Sequence, residues 1–155
     1  MSSLTSSTSN YSVYAIPLYW AFSILPHLYA VNVASHGNPS DWDNRNPRAS
    51  GLKSSLAKKL SPASYARYER AEAAHYNSLE SFPLFAAAVV LGNVARLPAD
   101  TLNTFVVGFG VVRAAYLAAY LTTETQKMTW FRSGFWFVAT GWSLSVLWKA
   151  AAALA

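Results

Sequence analysis

Arg70-Ala71-Glu72-Ala73-Ala74-His75-Tyr76-Asn77-Ser78-Leu79-Glu80-Ser81-Phe82-Pro83-Leu84-Phe85 runs without a break into Ala86-Ala87-Ala88-Val89-Val90-Leu91, as apolar a run as the chain contains. At helical spacing Arg70, Asn77 and Glu80 stand at i, i+7 and i+10 and share one face. An arginine, an amide and a carboxylate on one side of so apolar a helix are costly unless partners or a polar ligand meet them. Two readings are open at this point: the cytosolic end of an amphipathic helix, or one wall of a ligand site.

The helix that carries this stretch is expected from about Ser64, after Pro62, to about Val94. At 1.5 Å per residue it would be about 46 Å long, against ~30 Å for a hydrocarbon core. Its first turns therefore project beyond the core and place Arg70, Asn77 and Glu80 at or just below the headgroups. Upstream, Val13 to Ala34 has no Asp, Glu, Lys or Arg, which suits one membrane span of ~20 residues. Tyr11, Tyr14, Tyr19 and Trp20 crowd its start like an interfacial aromatic belt. Pro17 and Pro26 predict kinks that neighbouring helices must repair, and His27 reads as a bundle-facing residue. Ser35 to Ala63, broken by Gly37, Pro39, Pro47, Gly51 and Pro62, reads as a loop.

Downstream, Arg96 to Asp100 is a short turn, and short connections make antiparallel neighbours. Thr101 to Thr122 is a third span whose one charge is Arg113. Arg113, Tyr116 and Tyr120 fall at i, i+3 and i+7, again on one face. A lone arginine within a span marks a functional site by default; serving as the counter-ion of Glu80 is the structural alternative. After a polar link from Thr123 to Thr129, a fourth span runs from Trp130 to about Trp148, with Arg132-Ser133 at its start.

The chain of 155 residues has room for one domain: a tail over residues 1–10 and a single four-span unit over residues 11–155. It is 53% apolar and 12% charged, about half the charge of a soluble domain. The expected fold class is all-α, an integral membrane four-helix bundle. The net charge of +5 does not point to nucleic acid, because the cations concentrate in one connecting segment, where they act as orientation signals and headgroup contacts. With no cysteine, disulfides, thiolate metal sites and a cysteine nucleophile are excluded, and any thiol must arrive as a ligand. The three histidines lack metal-ligand spacing. The Ser/Thr-rich, uncharged residues 1–10 read as a disordered tail without the basic region of a signal peptide. Asn10-Tyr11-Ser12 is a formal sequon abutting the first span.

Charge also sets the topology. Arg45, Arg48, Lys53, Lys58, Lys59, Arg67 and Arg70 lie in or beside the first loop, with Lys127 and Arg132 at the third, whereas the second has Arg96 and the N-terminal tail no cation. The positive-inside rule then puts the first and third loops in the cytosol and both termini on the other side. Arg70, Asn77, Glu80, Tyr120 and Arg132 all fall in the cytosolic half.

The spacing His75-x-Asn77-x-x-Glu80-x-x-Pro83 resembles the second-helix signature of the MAPEG family, membrane-associated proteins of eicosanoid and glutathione metabolism. Arg113-x-x-Tyr116-x-x-x-Tyr120 resembles its third-helix signature, and Asp43-Asn44-Arg45-Asn46-Pro47-Arg48 a segment common in microbial and fungal MAPEG-like proteins. Ala73 departs from the pattern: many animal members place an arginine there, and Arg70 lies a turn earlier. The resemblance implies a homotrimer of four-helix subunits in an internal membrane, the endoplasmic reticulum in a eukaryote. It implies glutathione bound between subunits near the cytosolic face, and a microsomal-type glutathione S-transferase-like activity.

For this chain that implication assigns Arg70, His75, Asn77, Glu80, Arg113, Tyr116, Arg45 and Arg48 to glutathione binding. The arginines answer its two carboxylates, since guanidinium binds carboxylate bidentately, and Glu80 answers its ammonium. For Arg45 and Arg48 a solvated, orienting loop is the equal alternative. Arg132 is assigned the thiol: a free thiol titrates near ~8.5, and an adjacent cation lowers this. Ser133 and Tyr120 are candidate donors to the sulfur. Apolar grooves between spans would admit a lipophilic substrate from the membrane lipid. The expected function is a glutathione-dependent membrane transferase, peroxidase or isomerase. A non-catalytic lipid or glutathione binder, and a biosynthetic tailoring enzyme that has lost glutathione, are the alternatives.

Overall fold

The computed structural model of the protein describes residues 8–47 and 49–155. Among them are five α-helices and no strand: α1 (Ala15–Ala34), α2 (Leu52–Lys59), α3 (Pro62–Val94), α4 (Ala99–Thr122) and α5 (Thr129–Leu154). The all-α class expected from the sequence is the class observed. Arg48 and the first seven residues of the expected tail lie outside the described residues.

The helix ends follow from local chemistry. The Ser61 side chain accepts a hydrogen bond from the Ser64 N–H at 3.2 Å, with Pro62 as the first helical residue of α3; this is a favoured way to start a helix. α1 closes with His36 and Gly37 both at positive φ, and the Gly37 N–H donates to the Asn32 carbonyl at 2.9 Å. α3 closes the same way through Arg96 at φ 53°, with the Leu97 N–H on the Gly92 carbonyl at 3.0 Å. Both are Schellman ends, which satisfy carbonyls the helix itself leaves free.

Ser35 to Ala63 is not wholly irregular, because α2 forms within it. Gly51 and Pro62 bracket a two-turn helix rather than preventing one. Leu52, Leu56 and Leu60 recur every fourth residue and pack against Ala30 and Ala34 of α1 and Tyr68 and Ala71 of α3. Lys53, Lys58 and Lys59 remain exposed.

α3 is the central element, with α1, α4 and α5 all packed on it. Its 33 residues make it about 50 Å long. The core it organises is aromatic: Phe85 stacks on Phe109 at 4.2 Å, and Tyr19 meets Phe109 edge-on at 5.0 Å. Against α5, Gly108 lies so close to the Trp142 ring that a Cβ would collide with it; glycine here permits close helix approach.

α4 and the stretch Gln126–Leu154 are long and apolar enough to cross a membrane. Among the described residues α1 and α3 do not reach that level, α1 because of its prolines, tyrosines and histidine, and α3 because of the charged residues in its first half. Large apolar side chains nevertheless face outward on α1, α4 and α5, among them Leu18, Val107, Val111, Phe137 and Trp148. So much exposed apolar surface marks a lipid or protein contact.

At the N-terminal end of α1, Asn10 donates to the Asn93 side chain at 2.7 Å and accepts from the Ser12 N–H and hydroxyl at 3.0 and 2.7 Å. The Asn103 amide donates to the Ser9 carbonyl at 2.8 Å. These bonds hold Ser9 and Asn10 against α3 and α4, and they occupy the amide of the sequon.

Candidate functional site

The polar face anticipated on α3 is met by α4 and α5. Arg113, 1% exposed, enters from α4 and donates from Nη2 to Asn77 Oδ1 at 3.1 Å and to the Ser78 hydroxyl at 3.2 Å. Its guanidinium lies 4.3 Å over the Tyr116 ring and 5.9 Å from that of Tyr19. Nε has no hydrogen-bond partner. No carboxylate pairs with Arg113 among the described residues, so it is not the counter-ion of Glu80 within the subunit. A buried cation compensated only by neutral dipoles and π faces is an expensive arrangement.

Tyr116 and Tyr120 stand edge to face at 5.5 Å, and the Arg132 guanidinium rests 4.3 Å over the Tyr120 ring. The start of α5 is thereby pinned to the end of α4. Arg132 and Ser133 line a hollow of about 320 Å³ together with Asn77, Tyr116, Tyr120 and Trp136. Through Tyr120 and Arg132 this hollow meets a second, which reaches Lys53, Arg70, Glu72 and Ala73. Through Asn77 and Trp136 it meets a third, which reaches Glu80, Ser81 and Thr140. The three form one trough along α3, with Lys53, Arg70, Glu69 and Glu72 at one end, Arg132 in the middle and Glu80 at the other.

Arg70 has structural bonds of its own. Its Nε donates to the Leu121 carbonyl at 3.2 Å, and Nη2 lies 3.7 Å from Glu124. Leu121 belongs to the last turn of α4, whose carbonyls lack intrahelical partners, so Arg70 caps that helix while bordering the trough beside Ala73.

Two other expected site residues lie elsewhere. His75 is two positions from Asn77, on the opposite side of α3, and donates from Nδ1 to the Ser23 carbonyl of α1 at 2.8 Å. Arg45 is held by Asp43, with Nε to Oδ1 at 2.9 Å and Nη2 to Oδ2 at 2.8 Å. That hydrogen-bonded guanidinium brings the Asp43 carboxyl down to about 2. The pair sits in an exposed loop and lines no part of the trough. Arg48 lies outside the described residues.

The trough also contains residues that the sequence reading passed over. Trp136 follows Arg132 by four residues, so helical spacing could have found it. Lys53 reaches the trough through the docking of α2 on α3, which no local pattern announces, and Glu72 borders it from α3 itself, beside Ala73.

The family model described as MAPEG family matches residues 16–152, nearly the whole chain and all four long helices apart from the outermost residues of α1 and α5. No curated protein and no solved structure matches it.

Proposed function

Because this chain belongs to the MAPEG family, a membrane-associated family that includes glutathione-dependent transferases and related enzymes, we propose that it joins glutathione to a lipophilic electrophile in an internal membrane. One observation carries the reading: cations and carboxylates line one trough along α3, with Lys53, Arg70, Glu69 and Glu72 at one end, Arg132 in the middle and Glu80 at the far end. Glutathione has two carboxylates, an ammonium and a thiol, and this donor set fits it. Arg70 and Lys53 answer carboxylate, and Glu80 answers ammonium. Asn77, fixed by Arg113, offers a positioned amide.

Glutathione supplies the nucleophilic sulfur; the chain's residues orient it and set its ionisation. Arg132, held on the Tyr120 ring, favours the ionised thiol by placing a positive charge beside it. Ser133 and the Tyr120 hydroxyl are available to the sulfur as donors. In this reading α1, α3, α4 and α5 all span the bilayer as a four-helix bundle. The cation-rich loops lie in the cytosol, and both termini lie on the other side.

Arg132→Ala should leave glutathione affinity mostly intact while raising the bound thiol's pKa. A rise of one unit corresponds to about 1.4 kcal/mol. Near-ultraviolet thiolate absorbance against pH reads this directly, and conjugation of a generic aryl halide should fall in step. Absence of thiolate at neutral pH in wild type, with no change in the variant, would sink the transferase reading. Glutathione bound as intact thiol would indicate a binder. No binding at all would indicate the glutathione-free tailoring enzyme, the reading that Ala73 favours.

Assembly is the second expectation. Among the described residues Arg113 and Glu80 have no ionic partner, and the apolar outer faces of α1, α4 and α5 are available for neighbours. A homotrimer is expected in mild detergent. Light scattering that separates protein from detergent mass tests this, and a monomeric protein mass would count against it.

A further inference from the structure

In the seam between α1 and α3, on the side of α3 opposite Asn77, three titratable side chains lie together. His27 Nδ1 and Glu72 Oε1 are 2.7 Å apart. The His75 ring is 5.1 Å from that of His27, and its Nδ1 is occupied by the Ser23 carbonyl. Glu72 is 9% exposed, yet it also borders the trough beside Arg70, Tyr120 and Arg132. A carboxylate hydrogen-bonded to an imidazole thus connects the helix seam with the hollow where Arg132 lies.

A thiol that ionises must give up its proton. Guanidinium and ammonium groups are donors without an acceptor site, so Arg70, Arg132 and Lys53 cannot take it. Glu69 and Glu72 are the carboxylates on the hollow; Glu69 is exposed, and Glu72 is the one joined to an imidazole, which has a second ring nitrogen able to take a proton. His27 from α1 bonds Glu72 and Tyr68 lies near it, and the titratable groups that line the hollow with it are Lys53 from α2, Tyr120 from α4, Arg132 from α5, and Glu69, Arg70 and Tyr76 on its own helix.

We propose that the His27–Glu72 pair takes up the thiol proton of glutathione, so that ionisation proceeds within the protein; this rests on the reading that the trough binds glutathione. The S–H bond breaks with its electron pair left on sulfur. The pair, bridged by one proton and carrying one net negative charge, gains a second proton on the free oxygen of Glu72 or on Nε2 of His27 and becomes neutral. The C–S bond then forms from the sulfur pair. The electrophile's departing atom takes the electrons of the bond that breaks, and the proton leaves with it. No oxidant or reductant enters.

The test counts protons. Calorimetry of glutathione binding to the full chain in mild detergent, repeated in buffers of different ionisation heat, gives the protons released to solvent. Thiolate absorbance on the same samples gives the sulfur ionised. Wild type is expected to release well below one proton per thiolate formed, and His27→Gln and Glu72→Gln about one, because each breaks the hydrogen-bonded pair that holds the proton. His27 is half-exposed, so His27→Gln carries the test where the buried Glu72→Gln fails to fold. Thiolate in all three proteins with an unchanged proton count overturns the proposal and leaves the glutathione reading standing. Wild type that binds glutathione without forming thiolate overturns the proposal and the transferase reading together, and leaves a glutathione binder.

Discussion

Glu80→Ala is expected to weaken glutathione binding by about 2–5 kcal/mol, the cost of truncating one member of a desolvated charge pair. That is roughly a 30- to 4,000-fold rise in Kd. The magnitude is informative because Glu80 is exposed in the single subunit. An exposed ion pair between Glu80 and an ammonium would be worth only about 0.2–1 kcal/mol. The larger loss therefore requires a neighbouring subunit or lipid to exclude water from that end of the trough. Calorimetry on wild type, Glu80→Ala and Glu80→Gln separates the cases, with Glu80→Gln testing charge at nearly constant shape. Normal affinity in a folded Glu80→Ala protein would remove the trough as the glutathione site. A loss below about 1 kcal/mol would keep the site but leave its end open to solvent.

Arg113 gives the largest expected effect on the fold. Arg113→Ala empties a fully buried space between α3 and α4 and frees Asn77 and Ser78 from their donor. A loss of about 3–5 kcal/mol is expected, in the range of the largest core truncations. Arg113→Met nearly keeps the volume and should behave differently. It gives up two hydrogen bonds from a charged donor, about 1.5–3 kcal/mol each. It also relieves the desolvation of a buried cation, itself several kcal/mol. These opposing effects are of similar size, so Arg113→Met should melt near wild type and well above Arg113→Ala. Glutathione affinity should fall in both, because Asn77 is no longer held. Thermal melts in detergent with parallel calorimetry check this. If Arg113→Met is as unstable as Arg113→Ala, the guanidinium is a structural group first. If it binds glutathione normally, Arg113 has no part in the site.

Much of this protein was legible in order along the chain. Helix existence and class followed from apolar run length, and the break after the first span from Gly37 and Pro39, because these are local effects that act within a turn or two. The α3 face was legible for the same reason: residues seven and ten apart must lie on one side of a helix whatever surrounds it, and Asn77 and Glu80 do share the trough. Arg113, as a lone charge in an apolar segment, also declared itself. α2 was hidden because its breakers read as loop, and only packing against Ala30 and Tyr68 makes so short a helix worth forming.

What the tertiary structure alone decided is how those faces meet. His75 lies within the same signature as Asn77 yet turns to α1, since two residues along a helix is more than half a turn. Arg45, read as a ligand cation, is held by Asp43 two residues away, a local hydrogen bond that competes with any distant partner. Arg113 was open between ligand contact and counter-ion of Glu80. The structure gives it Asn77, Ser78 and two aromatic rings, because the packing of α4 on α3 brings those groups, and not Glu80, to its height. Lys53 reaches the trough because α2 docks on α3, and Glu72 meets His27 because α1 does. The sequence sets which side of its own helix a residue occupies, but contacts between helices depend on their relative rotation and height, and those are settled only when the aromatic core closes.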